Sequence, residues 1–505
     1  MRTAIIGAGF AGLSSAKVLR ECGIDVTVFD RTPDVGGVWS ETRRYPGLRT
    51  QNNKGTYALS DHPMPKSFPQ WPTGEQVQSY LQDYVDKFDL GGALRLSTEV
   101  ISAEPRPEGG WDLTTAHDGS TSTESFDHLV VANGIFSRPR LPEIPGLDEF
   151  RAAGGQAMAA SDFHDLDDAR GENVIVLGYG KSACDVAVPI SDVAGTTTVV
   201  ARQLLWKMPR KLGGLLNYKF LMLTRMGEGL FRYIEPVGFE RFLHGPGNPV
   251  RKSMIGSVQS VITRQLKLRE MGLVPNGTFE DIARSTVSLA TERFYEQVVD
   301  GKIDVRRDAE VARLVVDDAG RWAELTTGDR IPADVIVAAT GFHQEVPFFS
   351  AEINDALTDD RGNFQLYRQI LPLTVPDLTF AGYNSSFFSP LSAEMSAVWI
   401  AAHLHGALDL PSVDEMRAHI DRRLAWMEER TNGKHARGTN IIPFSMHNID
   451  EVLADLGLDV GRGTKMMQWL APVKPGSYKS VTAKLRKRLG TTPAGADARG
   501  LKLAG

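Results

Sequence analysis

The chain has 505 residues, long enough for two or three domains with large buried cores. Apolar residues make up 42% and charged residues 23%, and the formal net charge is −6, so nothing global calls for nucleic acid or an anionic membrane as a partner. Two cysteines, Cys22 and Cys184, argue against a disulfide framework or a thiolate metal site and fit a reducing cytoplasm; the opening apolar run is too short for a signal, and no stretch approaches the roughly 20 apolar residues of a membrane span.

Residues 2–6 read as a short buried parallel strand, followed at once by Gly7-Ala8-Gly9-Phe10-Ala11-Gly12 and a helical pattern to about Cys22. A second strand, 26–30, ends in Asp30, 18 residues past Gly12. The order has a physical reason. Gly7 permits the tight turn, Gly9 lets a pyrophosphate approach the backbone, and Gly12 allows helix and strand to pack closely. The helix start offers N–H groups to the phosphates, and Asp30 stands where an acid bonds ribose hydroxyls. Gly37, Val38 and Trp39 follow, with Gly36, as a second contact with the ligand.

Strand 129–132 leads into Asn133-Gly134 and then Pro139, Pro142 and Pro145, spaced like a crossover linker. A second nucleotide fold begins with strand 174–177. It turns through Gly178, Gly180, Lys181, Ser182 and Ala183, the last small enough for the third glycine's place. The next strand ends not in an acid but in Arg202, with Lys207 and Arg210 close behind. These cations suit the 2′-phosphate of NADPH, whereas Asp30 suits a ribose with free hydroxyls, as in FAD.

Residues 213–285 form a helical insertion with large apolar side chains, including Phe220, Met222, Phe231, Tyr233, Phe239 and Phe242; it reads as a packed layer or as a cover for the substrate cavity. Strand 335–339 carries the chain back through Thr340, Gly341 and Phe342. Ser389 as N-cap and Pro390 then open a helix through Leu391 whose dipole could face the flavin. The tail 471–505 is basic and reads as a solvated, partly disordered end, with peripheral attachment to a membrane or partner as the other reading. The expected fold is α/β, with two Rossmann-like dinucleotide-binding domains, the second inserted within the first. A flavin domain would cover 1–145 and 336–455, and an NADPH domain 165–335.

Taken in this order, the two glycine turns, Gly37-Val38-Trp39, the stretch from Tyr45 to Lys54, the segment Ser60 to Pro65, and Ala339-Thr340-Gly341-Phe342 resemble the flavin-containing monooxygenases, the single-component class that includes the Baeyer–Villiger enzymes. The resemblance covers about residues 1–455. It implies that NADPH reduces FAD, that the reduced flavin takes up O2 as a C4a-(hydro)peroxide, and that nitrogen or sulfur of a small-molecule substrate takes the distal oxygen; in the Baeyer–Villiger branch a ketone is attacked. The family's active-site asparagine falls at Gln51, with Asn52 next, which implies a pair of pocket amides; the other reading is a polar loop facing solvent. That branch's acid is replaced by Gln51, and five residues rather than four separate Trp39 from Tyr45, so heteroatom oxygenation is favoured. A histidine usual at the entry to the second domain is absent, with Ala159 in its place and His164 nearby. A disulfide reductase would need a redox-active cysteine pair, which Cys22 and Cys184 do not form in sequence. No metal is expected, and a homo-oligomer is compatible with the sequence.

Overall fold

The structure, a computed structural model, describes residues 1–284, 288–433 and 437–491. Two five-stranded parallel sheets organise it. The first runs Leu378–Phe380, His128–Val131, Arg2–Ile6, Asp25–Phe29, Leu94–Arg95. The second repeats the arrangement when read from the opposite edge: Asp304–Arg307, Thr196–Ala201, Asn173–Leu177, Val335–Ala338 and Gln156–Ala159. The central strands are apolar on both faces because helices cover one side and an antiparallel meander covers the other. In each fold a three-stranded antiparallel meander precedes the return strand: Glu99–Pro105 to Ser120–Phe126 in the first, Val311–Asp317 to Arg330–Pro332 in the second.

The domain limits shift accordingly. Strand Val335–Ala338 pairs with Asn173–Leu177, so a boundary at 335/336 would cut a strand of the second sheet. Gln156–Ala159 also belongs to that sheet and lies before the expected start at 165. The links between the folds pair as a short ribbon, Arg138–Pro139 against Phe342–His343.

Helix Ser389–Leu404 is buried along nearly its whole length and packs against Phe10–Glu21 and Ser445–Asp455. A helix apolar all round belongs in a core. The basic tail is corrected up to Thr491. Val473, Tyr478, Val481 and Leu485 are fully buried, and helix Val481–Leu489 packs on Ser389–Leu404. Their spacing puts one apolar face inward while the lysines and arginines stay outside. Residues 492–505, with Arg499 and Lys502, lie outside the described residues, as does residue 285 of the insertion. Within the insertion Met222, Phe231 and Tyr233 are buried, whereas Phe220, Phe239 and Phe242 are about half exposed. Among the described residues no helix is long and apolar enough to cross a membrane.

Candidate active site

A cavity of about 470 Å³ runs from the first glycine turn, past the start of helix Ser389–Leu404, to Lys181 and Ser182 just after the second glycine turn; Gly178 and Gly180 do not line it. Gly7, Gly9, Asp30, Gly37, Val38 and Trp39 line its first part. Gly7 has φ +115, and a Cβ there would lie 2.3 Å from the Ala132 carbonyl oxygen, so only glycine fits. A Cβ on Gly9 would meet Gly37 at 3.6 Å, an ordinary contact, leaving a groove between two glycine backbones. Asp30 Oδ2 accepts from Ala8 N at 2.6 Å, and Oδ1 accepts from the Thr32 amide and hydroxyl, so the acid also braces the turn. These features fit a dinucleotide with its pyrophosphate against Gly9.

Gly12 does not reach the cavity. Its missing Cβ would stand 1.7 Å from the Gly7 carbonyl oxygen, so its role is packing of helix on turn. Leu391 is fully buried and off the cavity wall; Ser389 and Ala393 reach it instead. The residue capping this helix is Phe388, not Ser389, and no side chain caps it. Ser389 Oγ donates back to the Ser386 carbonyl at 2.6 Å. The positive end of the helix is thus left open beside the cavity.

In the second fold Gly178 has φ +113 and abuts the Ala339 carbonyl, while Gly180 has nothing within 4 Å of a Cβ position. That open side fits a second pyrophosphate, with Ala183 packed behind it, fully buried. Lys181 and Ser182 line the shared cavity. Lys181 is paired to Asp185, and Ser182 Oγ accepts from Tyr45 OH at 3.0 Å across the two folds. Arg202 ends strand Thr196–Ala201, well exposed, 3.9 Å from Glu310.

Four assignments are corrected. Lys207 is 1% exposed, and its ammonium donates to the Tyr179 carbonyl at 2.6 Å, bracing the second glycine turn from below. Burial pushes its pKa down, so it is no surface cation awaiting a phosphate. Arg210 is paired to Glu292 and lies 4.8 Å over the Trp71 ring. Thr340 and Gly341 sit in the linker ribbon: the Thr340 hydroxyl donates to the Arg140 carbonyl, and the Gly341 carbonyl accepts from Arg140 N at 2.9 Å.

Gln51 and Asn52 both line the cavity, Asn52 only 4% exposed. Leu289 N donates to Gln51 Oε1 at 3.3 Å, and Asn52 Nδ2 donates to the Phe387 carbonyl. Sequence reasoning passed over Arg31 and Arg43, which line the same cavity; burial and then repulsion from Arg31 lower the Arg43 guanidinium, against Asp30 and Asp162. It also passed over Tyr45, whose cross-fold bond no spacing rule reveals. His164 Nδ1 lies 3.1 Å from the Arg44 carbonyl, a contact between the folds close to the missing histidine's place. The segment after Lys54 is structural. Lys54 Nζ donates to the Pro65, Lys66 and Phe68 carbonyls, and the buried Glu394 accepts from Ser60 N and Oγ at 2.8 and 2.6 Å.

Known proteins share this architecture. A family model described as flavin-binding monooxygenase-like matches residues 1–459. Flavin-containing monooxygenase 3 of Canis lupus familiaris is 26% identical over 446 residues, 84% of this chain and 77% of that protein. Dimethylaniline monooxygenase [N-oxide-forming] 2 of Oryctolagus cuniculus is 25% identical over 489 residues, 93% and 84% of the two chains. A cyclohexanone monooxygenase from Rhodococcus sp. Phi1, bound to NADP+, superposes with a TM-score of 0.67 at 19% identity, covering 90% of this chain and 97% of its own. With the motifs in place and the match spanning both nucleotide folds, the chain belongs to the flavin-binding monooxygenase-like family.

Proposed function

We propose that this chain, an FAD- and NADPH-dependent monooxygenase, inserts one oxygen atom of O2 into nitrogen or sulfur of a small organic substrate. One observation carries the reading: a single cavity runs from the first glycine turn to Lys181 and Ser182 at the head of the second fold's helix, with the neutral amides Gln51 and Asn52 on its wall. FAD would lie against Gly9, Gly37 and the open start of helix Ser389–Leu404, and NADPH against Gly180, Lys181 and Ser182. Held there, the two cofactors would supply the redox and oxygen-activating chemistry. The protein's part is orientation and exclusion of water. Amides at Gln51 and Asn52 offer hydrogen bonds without a proton to lose, and Tyr45 ties the folds so that the two cofactors share one dry space. A neutral Gln51 in place of an acid supports heteroatom oxygenation over ketone insertion, as does the N-oxide-forming relative. A cytoplasmic location belongs to the same reading, since both cysteines are buried free thiols.

Turnover of amines, sulfides and ketones under 18O2 tests this. Labelled N- or S-oxides are expected. Labelled esters alone would make the chain a Baeyer–Villiger enzyme, and NADPH oxidation without labelled product would sink the oxygenase reading.

Arg202 is proposed to hold the 2′-phosphate. Arg202→Ala should raise KM for NADPH by about tenfold while leaving KM for NADH nearly unchanged. Equal losses for both nucleotides would remove that assignment.

A further inference from the structure

Tyr218 stands at the start of the helical insertion, 1% exposed and distant in sequence from the amide pair. Its hydroxyl lies 2.9 Å from the Gln51 carbonyl oxygen and 3.2 Å from Asn52 Oδ1. On the other side of the same carboxamide, Asn52 Nδ2 faces the Phe387 carbonyl, in the loop before helix Ser389–Leu404. Tyr218 is anchored in turn, its backbone N–H donating to the Arg210 carbonyl at 3.1 Å. The Arg210 backbone thus anchors the clamp, while its side chain is held by Glu292 and the Trp71 ring.

A primary amide is nearly symmetric in shape, and its neighbours decide which end is oxygen. The Phe387 carbonyl can only accept, so it holds Nδ2 on its side; Oδ1 then faces the Tyr218 hydroxyl, whose single proton is shared between the Gln51 carbonyl and Oδ1. Burial raises the Tyr218 pKa well above its ordinary value, which keeps the phenol neutral and a donor. We propose that Tyr218 is a positioning residue for the Gln51–Asn52 pair: it holds the loop through the Gln51 carbonyl and fixes the Asn52 carboxamide so that its remaining N–H serves the cavity. The inference rests on the amide reading given under Proposed function. It makes the insertion part of the active site through one hydroxyl, without that side chain touching the reacting atoms.

Removal of the hydroxyl alone tests it. The Tyr218→Phe holoenzyme should keep its FAD content and its rate of anaerobic flavin reduction by NADPH. Oxygenated product per NADPH should fall about fivefold, with hydrogen peroxide released in its place, as expected for loss of one net hydrogen bond. A general structural lesion would lower flavin content and reduction rate together. Unchanged coupling in Tyr218→Phe, with Asn52→Ala uncoupled, overturns the positioning role while the amide reading stands. Full coupling in Gln51→Ala and in Asn52→Ala removes the amide reading, and the positioning role with it. Where the Phe variant loses FAD, Tyr218→His decides, because imidazole restores a ring with an N–H donor: coupled turnover supports the role, and uncoupled turnover by a flavin-replete His variant overturns it.

Discussion

Gly12→Ala should leave no folded protein to purify, whereas Gly9→Val should give a folded, colourless one. The two glycines sit in one turn and look alike in sequence, but their missing side chains point to different places. A Cβ on Gly12 would stand 1.7 Å from the Gly7 carbonyl oxygen and 2.9 Å from its carbon. Both are backbone atoms of a turn held by Gly7's own positive φ, so neither can swing away. Overpacking without relief costs more than about 3 kcal/mol, a large share of a domain's total stability. A Cβ on Gly9 meets Gly37 Cα at 3.6 Å and the Gly36 carbonyl at 3.9 Å, which the fold tolerates. The valine methyls then occupy the groove through which a pyrophosphate reaches the backbone, and FAD affinity should drop at least about tenfold. Circular dichroism separates the first outcome, and the ratio of visible to ultraviolet absorbance reads the second. A soluble Gly12→Ala protein with unchanged melting temperature would refute the packing argument. A fully yellow Gly9→Val protein would move the pyrophosphate elsewhere.

Both nucleotide folds were legible because each is written locally: an apolar strand, a glycine turn, a helix and a diagnostic residue at the next strand's end. The side-chain destinations of Lys207 and Arg210 were not, although both follow Arg202 closely. Lys207 turns inward because the Tyr179 carbonyl offers its ammonium a buried acceptor, and Arg210 is captured by Glu292, 82 residues away in sequence. Spacing rules place a backbone near a ligand, but long flexible cations go where partners distant in the chain wait. The tail misled for the opposite reason. Its charges dominate the composition, while four buried apolar residues, two of them on one helix face, decide that it docks. Tyr218 was invisible as a functional residue because its contact with Gln51 spans 167 positions. Thr340 and Gly341 follow a strand as Asn133 and Gly134 do, yet only the earlier pair lines the cavity.

Raising the pH from about 6.5 to about 10 should weaken the joint between the insertion and helix Ser445–Asp455 by about 4 kcal/mol through one histidine. His447 lies between two buried carboxylates, with Nδ1 2.5 Å from Glu228 and Nε2 3.1 Å from Glu240. Burial works against its charge, but the hydrogen bonds and attraction of Glu228 and Glu240 outweigh it and hold the pKa up to about 10, against an ordinary 6.5. The folded state therefore binds the proton more tightly than the unfolded chain. Its contribution is complete below 6.5, declines as the unfolded histidine ceases to be charged, and is gone above about 10. Glu228 also accepts the Met446 and His447 backbone N–H groups at 2.9 Å, so the joint loosens at the start of that helix. Denaturant titrations at successive pH values read the slope, and His447→Gln supplies the reference. The glutamine variant should be less stable than the parent at pH 6.5, because two buried carboxylates lose their cation, and should lose little more by pH 10. Glu394 acts in a lower window. Burial, opposed by its bonds to Ser60, holds it up to about 7, so its destabilising effect accumulates between 4.5 and 7 and overlaps only the start of the histidine's. Parallel pH slopes in parent and His447→Gln above pH 7 would show that the histidine enters the fold uncharged, and would dismiss the ion cluster as the joint's fastening.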